Sequence, residues 1–174
     1  MKVVALAGGV GGAKFVDGLS RCMPAEDLTV IVNTGDDFSH FGLAISPDLD
    51  TDSYTLAEIV DSQTGYGLRE DTNEIMNMIR RLGGPGWFNI GDRDFATHLE
   101  RTRLLESGWD LSQITQKFCS AWGVKVRVLP MSNQPVRTLV HTRTADTLGF
   151  QEYFVREQCQ PEILGFTFQG VEQA

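Results

Sequence analysis

Two segments rich in glycine and aspartate carry the groups best suited to chemistry. Four glycines directly follow an apolar run and directly precede a stretch with helical spacing. Such a loop lets the backbone approach a phosphate, which the free N–H groups at a helix N-terminus can bind. We therefore predict a nucleotide or phosphate site at Gly8, Gly9, Gly11 and Gly12, with Lys14 as an added cation in the first helical turn.

The second segment is an acidic stretch in the long loop predicted over 33–52. Asp48, Asp50 and Asp52 are spaced by two, so on an extended chain they would point to the same side. Carboxylate pairs bind hard cations, and Mg²⁺ would connect them to phosphate oxygens. We predict that Asp48 and Asp50 are Mg²⁺ ligands; the alternative is that Asp50 or Thr51 caps the helix that follows. His40 belongs to the same loop and is expected near the site.

Two further segments end predicted strands. Arg93, between Asp92 and Asp94, is either the centre of a structural ion pair or a clamp on a phosphate or planar ring. His98 lies one helical turn after Asp94, so these two side chains are expected to hydrogen-bond, and we interpret His98 as structural. The loop over 130–135 carries polar groups that can contact a ligand.

The elements that must position these residues follow from the hydrophobic pattern. Apolar runs at 2–7 and 28–32 flank the glycine loop and a helix that ends near position 24, which is a βαβ unit. Further strands are predicted at 87–90, 125–129, 136–142 and 166–168, and helices at 51–60, 71–82, 95–107 and 111–122. We predict a single α/β domain over 1–174, a Rossmann-like three-layer fold with a largely parallel sheet. In such sheets ligands bind beyond the carboxyl ends of the strands, where the candidate segments lie.

Composition limits the classes of partner. The chain has 174 residues and a net charge of −8, which disfavours binding to duplex nucleic acid. Between positions 34 and 75 there are ten acidic residues and one basic residue. No apolar run approaches the roughly 20 residues of a membrane-spanning helix, and the N-terminal run is too short for a signal peptide. Three cysteines far apart indicate reduced thiols, and we expect a cytoplasmic protein.

Taken together, the motifs resemble one family, the 2-phospho-L-lactate transferases of deazaflavin coenzyme biosynthesis, also called phosphoenolpyruvate transferases. The matching segments, in chain order, are 8–15, 33–37, 46–51, 91–99, 129–132 and 150–152. The resemblance runs the length of the chain. Asn133 departs from it, since the family usually has Asp there. Family members are also much longer, so we expect the chain to be the N-terminal portion of a longer transferase.

The resemblance implies a reaction and roles for particular residues. A guanosine diphosphate donor carries phospholactate or phosphoenolpyruvate, the group moves to the ribityl hydroxyl of the deazaflavin precursor Fo, and guanosine monophosphate leaves. Asp50 and Arg93 match positions that bind Fo, and Asp50 is also the expected catalytic residue, which helps the attacking hydroxyl lose its proton. Asn33 and Ser132 are expected to contact substrate, Mg²⁺ is the expected cofactor, and a homodimer is the expected assembly.

Two other functions are alternatives. The first is a non-catalytic nucleotide-sugar-binding regulator of the related gluconeogenesis-factor family, which shares the glycine loop. Its loop usually continues as an Asp-Asp-Gly-Gly-Ser-Ser-Gly-like run, whereas this chain has Asp-Asp-Phe-Ser at 36–39. The second is a dinucleotide-binding oxidoreductase domain. Such a domain places an acidic residue at the end of its second strand to bind a ribose, and Asn33 is there instead.

Overall fold

The computed structural model describes residues 1–143 and 147–174. The elements in chain order are β1 (Val3–Ala7), α1 (Gly9–Cys22), β2 (Leu28–Val32), β3 (Phe38–His40), β4 (Leu43–Ile45), α2 (Pro47–Leu56), α3 (Glu74–Arg81), α4 (Asp92–Glu106), α5 (Leu111–Ala121), β5 (Arg127–Pro130), β6 (Arg137–Thr142), β7 (Leu148–Gly149) and β8 (Ile163–Gln169). A π-helical segment, Glu152–Arg156, follows β7. This arrangement confirms the α/β class.

A parallel sheet in the order β1-β2-β5 organises the site. Alternate side chains of β2 are buried and pack with side chains of α1, α2 and α5 in the largest apolar core. That core consists of Ala5, Val16, Leu28, Val30, Val32, Leu49, Leu111, Cys119, Val126 and Val128. At the carboxyl end the strands stay in register, because the N–H of Asn33 donates to the carbonyl of Ala7 and the N–H of Met131 to that of Val32. The loops after the three strands therefore begin side by side.

Two antiparallel units flank the parallel sheet. The hairpin β3–β4 lies within the segment that sequence reasoning treated as one long loop. Strands β7, β6 and β8 form a second sheet in that order. This sheet contacts the acidic loop, because the N–H of Thr138 donates to the carbonyl of Gly35 at 2.6 Å. Strand β6 thus helps to fix the loop that follows β2.

Several predicted boundaries are corrected. Helix α2 begins at Pro47, four residues before the prediction, with Pro at the first helical position, which favours helix initiation. The predicted strand at 87–90 is absent; Phe88 and Ile90 instead pack with Leu43 and Ile45 of the hairpin. The apolar run there reflects burial of a loop rather than strand pairing.

Helix α5 has a complete N-terminal cap. Asp110 caps α5 through two hydrogen bonds. Its carboxylate accepts from the N–H of Gln113, and the side-chain oxygen of Gln113 accepts from the N–H of Asp110. Such a capping box satisfies two backbone donors that the helix leaves free. The hydroxyl of Ser112 donates to the side-chain oxygen of Asn133. No helix in the described part of the chain is long and apolar enough to cross a membrane.

An uncovered apolar surface lies on β8. Leu164, Phe166 and Phe168 point to the same side of this edge strand, and each is more than half exposed. Contiguous exposed apolar side chains favour association. We expect the chain to self-associate in solution. The double variant Phe166→Thr/Phe168→Thr should shift the chain toward monomer, which sedimentation velocity measures. The matched control is Leu82→Ser, which removes an exposed apolar residue from another surface; an unchanged mass distribution in the double variant would contradict the expectation.

Candidate active site

The acidic residues converge around Asn33, at the end of β2. The amide nitrogen of Asn33 donates to Asp48 at 2.9 Å and to Asp36 at 3.3 Å, while its carbonyl oxygen accepts from the N–H of Gly35. Gln151 reaches the same place from the end of the chain and donates to Asp36 at 2.9 Å. A single amide therefore holds two carboxylates that are twelve positions apart in sequence.

The three aspartates spaced by two do not share a side. They lie in the first turns of α2, not on an extended loop. Successive helical residues are rotated by about 100°, so residues two apart point in nearly opposite directions and residues four apart share a face. Asp48 and Asp52 consequently face one way and Asp50 the other. The predicted geometry of adjacent Asp48 and Asp50 ligands is wrong for this reason.

Asp48 lies against the glycine loop. A Cβ on Gly8 would be 2.8 Å from Oδ2 of Asp48, so this close approach requires glycine. The N–H of Gly9, where φ is +63°, hydrogen-bonds to Asp48 and counteracts the burial that raises the pKa of this carboxyl. A carboxylate thus already lies at the N-terminus of α1, where a phosphate was predicted. A phosphate role for these residues remains a prediction.

The other glycines of the loop have different surroundings. A Cβ on Gly12 would be 3.2 Å from the backbone of Ala7, so this glycine lets α1 pack closely on the end of β1. Gly11 faces open space and is exposed. Helix α1 begins at Gly9, which places Lys14 in the second turn rather than the first, with an exposed side chain.

Asp48 lies beside two further carboxylates, Asp36 on one side and Asp52 on the other, and none of the three has a cationic partner in the described residues. Burial, and then the charge of Asp48, raise the pKa of Asp36 to about 7. Asp52 is fully buried, and the same two causes raise its pKa to about 7. Both carboxylate oxygens of Asp52 lack a hydrogen-bond partner in the part of the chain that the structure describes. Buried carboxylates of this kind need either protons or a bound cation.

Asp50 belongs to a second, charge-balanced group. Its carboxylate accepts two hydrogen bonds from the buried guanidinium of Arg101, one of them at 3.1 Å. Arg101 also lies 3.2 Å from Nδ1 of His98. Because arginine has no acceptor, Nδ1 accepts, and the proton of the neutral ring is on Nε2, 3.5 Å from Asp94.

The network continues to α2. The hydroxyl of Tyr54 donates to Asp94 at 2.7 Å. Burial opposes ionisation of Asp94, but the hydrogen bond from His98 lowers the pKa of this carboxyl overall. One oxygen each from Asp50 and Asp94 and a nitrogen of His98 lie within 4.8 Å of one another, a spacing that a metal ion could bridge. Since Arg101 already balances the charge of Asp50, we interpret this group as the link between α2 and α4.

Comparison with known proteins identifies the family. The family model described as "2-phospho-L-lactate transferase CofD" matches residues 3–174. The chain belongs to the CofD family. It is 44% identical over its whole length to a phosphoenolpyruvate transferase of Streptomyces griseus, and 47% identical over 90% of its length to one of Kitasatospora aureofaciens. It covers 56% and 50% of these relatives, so it spans about half the length of the curated relatives it matches.

Solved structures agree with the fold. A protein of Bacillus halodurans described as a member of the upf0052 family aligns with 99% of this CofD-family chain and 52% of its own, with a TM-score of 0.58. The sequence identity is 14%, so the likeness concerns the fold alone. The parallel sheet and its helices therefore agree with a known architecture.

The remaining predicted site residues of this CofD-family chain have other partners. Arg93 is more than half exposed; its guanidinium donates to the carbonyl of Arg69 and lies 3.7 Å from Asp71. Asp50 is paired with Arg101, so the structure does not pair Arg93 with Asp50. The hydroxyl of Ser132 accepts from the N–H of Gln134 within its own loop.

His40 is buried in an aromatic cluster. Its ring packs against Phe38, Phe41, Trp87 and Phe88, and burial lowers the pKa of the imidazole. These contacts give His40 a packing role on the hairpin. The expectation that it lies near the site has no support from its contacts.

Sequence reasoning missed Arg101 and the full role of Asp36. Asp94, His98 and Arg101 recur at positions i, i+4 and i+7 of a helix, which is the spacing of one helical face. Ionisable residues on the spacing that normally carries apolar residues are a signal of a buried polar network. Asp36 was noted within a motif, but no local spacing shows its contact with Asp48.

Proposed function

We propose that this chain supplies the acidic part of the active site of a transferase. The enzyme moves a phospholactyl or phosphoenolpyruvyl group from a guanosine diphosphate donor to the ribityl hydroxyl of Fo, and guanosine monophosphate leaves. The supporting observation is the group of buried carboxylates at the carboxyl end of a parallel sheet, where α/β proteins bind ligands. Membership of the CofD family supports the reaction class.

The donor set fits Mg²⁺, which prefers carboxylate oxygens together with phosphates. Asp36 and Asp48 would hold the ion, because the same Asn33 amide binds both carboxylates and neither has a cationic partner in the described residues, while Asp50 has one in Arg101. The proposed Mg²⁺ ligands therefore differ from Asp48 and Asp50, the two ligands predicted from the sequence. When bound, the ion would neutralise charge on the diphosphate of the donor.

The chain's own groups orient the carboxylates and substrates. Asn33 fixes Asp48 and Asp36, and the N–H of Gly9 fixes Asp48 from the other side. Gly11 leaves open space beside the loop for the donor, and Lys14 offers a cation at its exposed surface. The roles of Asp50, Arg93 and Ser132 toward Fo are proposed from the family resemblance. Transfer to a hydroxyl depends mainly on such positioning and charge neutralisation.

Asp48→Asn tests the proposal. We expect the variant to lose Mg²⁺-dependent binding of guanosine diphosphate by about 10-fold or more in isothermal titration, since a charged contact is removed. Asp61→Asn, on an exposed loop, should bind as the parent does. The same samples receive donor and Fo, and product is measured by mass spectrometry.

Equal loss in both variants would mean that the nucleotide responds to general surface charge. Failure of the parent chain to bind either the donor or Fo would overturn the proposed function. Binding without turnover would support the site and place the remaining catalytic groups outside this chain.

A further inference from the structure

A pocket with no assigned role lies next to the loop that carries Asp36. Its volume is about 280 Å³, and it is enclosed by the hairpin β3–β4, helices α4 and α5, and the loop before β6. Phe38, Ile45, Leu111 and Val136 contribute apolar walls. Apolar walls with a few placed polar groups are typical of small-molecule sites.

Two polar atoms of this pocket are buried without partners. The hydroxyl of Thr34, a residue that is 2% exposed, and Oδ1 of Asp37 have no hydrogen-bond partner within residues 1–143 and 147–174. The other carboxylate oxygen of Asp37 accepts from the hydroxyl of Ser46 at 2.7 Å. A buried polar atom left unpaired costs about 1–3 kcal/mol of folding free energy, so two such atoms in one pocket require an explanation.

The two unpaired atoms belong to one turn. The N–H of Asp37 donates to the carbonyl of Thr34 at 3.1 Å, which makes them the first and last residues of a β-turn. The ends of such a turn lie within about 7 Å of each other. The Thr34 hydroxyl can donate, and Oδ1 of Asp37 can accept. A ligand that carries a hydrogen-bond acceptor next to a hydrogen-bond donor on one edge would pair with both protein atoms.

We propose that this pocket binds the cis-lactam edge of a flat heterocycle. The ring N–H donates to Oδ1 of Asp37, and the adjacent carbonyl accepts from the hydroxyl of Thr34. The apolar walls contact the faces of the ring. Arg137, an exposed residue, also lines the pocket and can meet an anionic substituent.

This inference rests on the proposed function for its two sources of ligand. The guanine base of the donor and the pyrimidinedione end of Fo both present an N–H next to a carbonyl. The shared chemistry is the lactam edge, and separate titrations with guanosine and with Fo distinguish the sources. Adenosine, which lacks a lactam, and the N-methylated form of each probe, which lacks the donor, are the ligand controls.

Thr34→Val and Asp37→Leu are the test variants, because each removes one of the two unpaired polar atoms. At least one of the two probes should bind the parent chain, and each variant should weaken that binding by about 10-fold, as expected for loss of a hydrogen bond to a buried or charged group. Asp27→Asn, at the opposite end of β2, is the matched control and should bind as the parent does.

A stability measurement separates binding from folding. Thr34→Val removes an unpaired hydroxyl without a change of shape, so its melting temperature should stay equal or rise while its affinity falls. Equal affinity in the parent and both variants, or no binding of either probe, would overturn the pocket assignment. Product formation that Thr34→Val leaves unchanged would overturn this inference alone. Lactam binding together with Mg²⁺-dependent nucleotide binding that Asp48→Asn leaves unchanged would support this inference and count against the proposed function.

Discussion

Arg101→Met is expected to lower the free energy of unfolding by about 3–5 kcal/mol, because it leaves the carboxylate of Asp50 buried without its partner. The substitution also removes the donor to Nδ1 of His98 and a contact with the ring of Phe118. Chemical denaturation monitored by circular dichroism measures the loss. The expected change is large because Arg101 is 3% exposed and water cannot replace it.

Two controls make the result specific. Arg103→Met, in the same helix, breaks an exposed ion pair with Glu100 and should change stability little. The double variant Arg101→Met/Asp50→Leu removes both charges and should recover much of the loss, since a buried ion pair and an apolar pair are often similar in stability. A single variant as stable as the parent would show that Asp50 does not depend on Arg101.

Elements with strong local signals could be predicted from the sequence. The β1–α1–β2 unit follows from apolar runs around a glycine loop, and the Asp110 cap follows from its spacing to Gln113. The position of α2 was missed because Ser46-Pro47 is equally typical of a loop and of a helix start. That shift of four residues changed the expected directions of three carboxylates, since a helix and an extended chain differ in their periodicity.

The candidate site was likewise predicted in part: local motifs indicated some of its residues, and long-range contacts were missed. Motif spacing located Asn33, Asp48 and the glycine loop, and the structure brings these together. The contacts that set their charge are long-range: Gln151 meets Asp36 across 115 positions, and Arg101 meets Asp50 across 51. No local pattern encodes such pairs, because they depend on how α4 and the antiparallel sheet pack against the loop after β2.

Asp52→Asn is expected to make the chain more stable at alkaline pH and to leave it nearly unchanged at pH 4. The pKa of Asp52 is raised from 3.8 to about 7 by burial and by the charge of Asp48. The folded state therefore holds a proton at this site that the unfolded state releases above pH 4. Stability falls as pH rises from about 4 to 7, by up to about 4 kcal/mol for a shift of this size, and is then constant.

The asparagine resembles the protonated acid, so the variant should lack the part of this decline that Asp52 causes, while Asp36, whose pKa is also raised to about 7, causes its own part in both proteins. Thermal unfolding with EDTA at pH 4, 6 and 8 gives the comparison. Asp27→Asn is the control, because it removes only exposed ion pairs with the N-terminus and Lys2 and should change stability little. Parallel curves for the parent and Asp52→Asn would contradict the expectation. Addition of Mg²⁺ at pH 8 should then raise the melting temperature of the parent more than that of the variant, because the charge of Asp52 beside Asp48 strengthens the binding of a cation, and the bound cation stabilises the folded state.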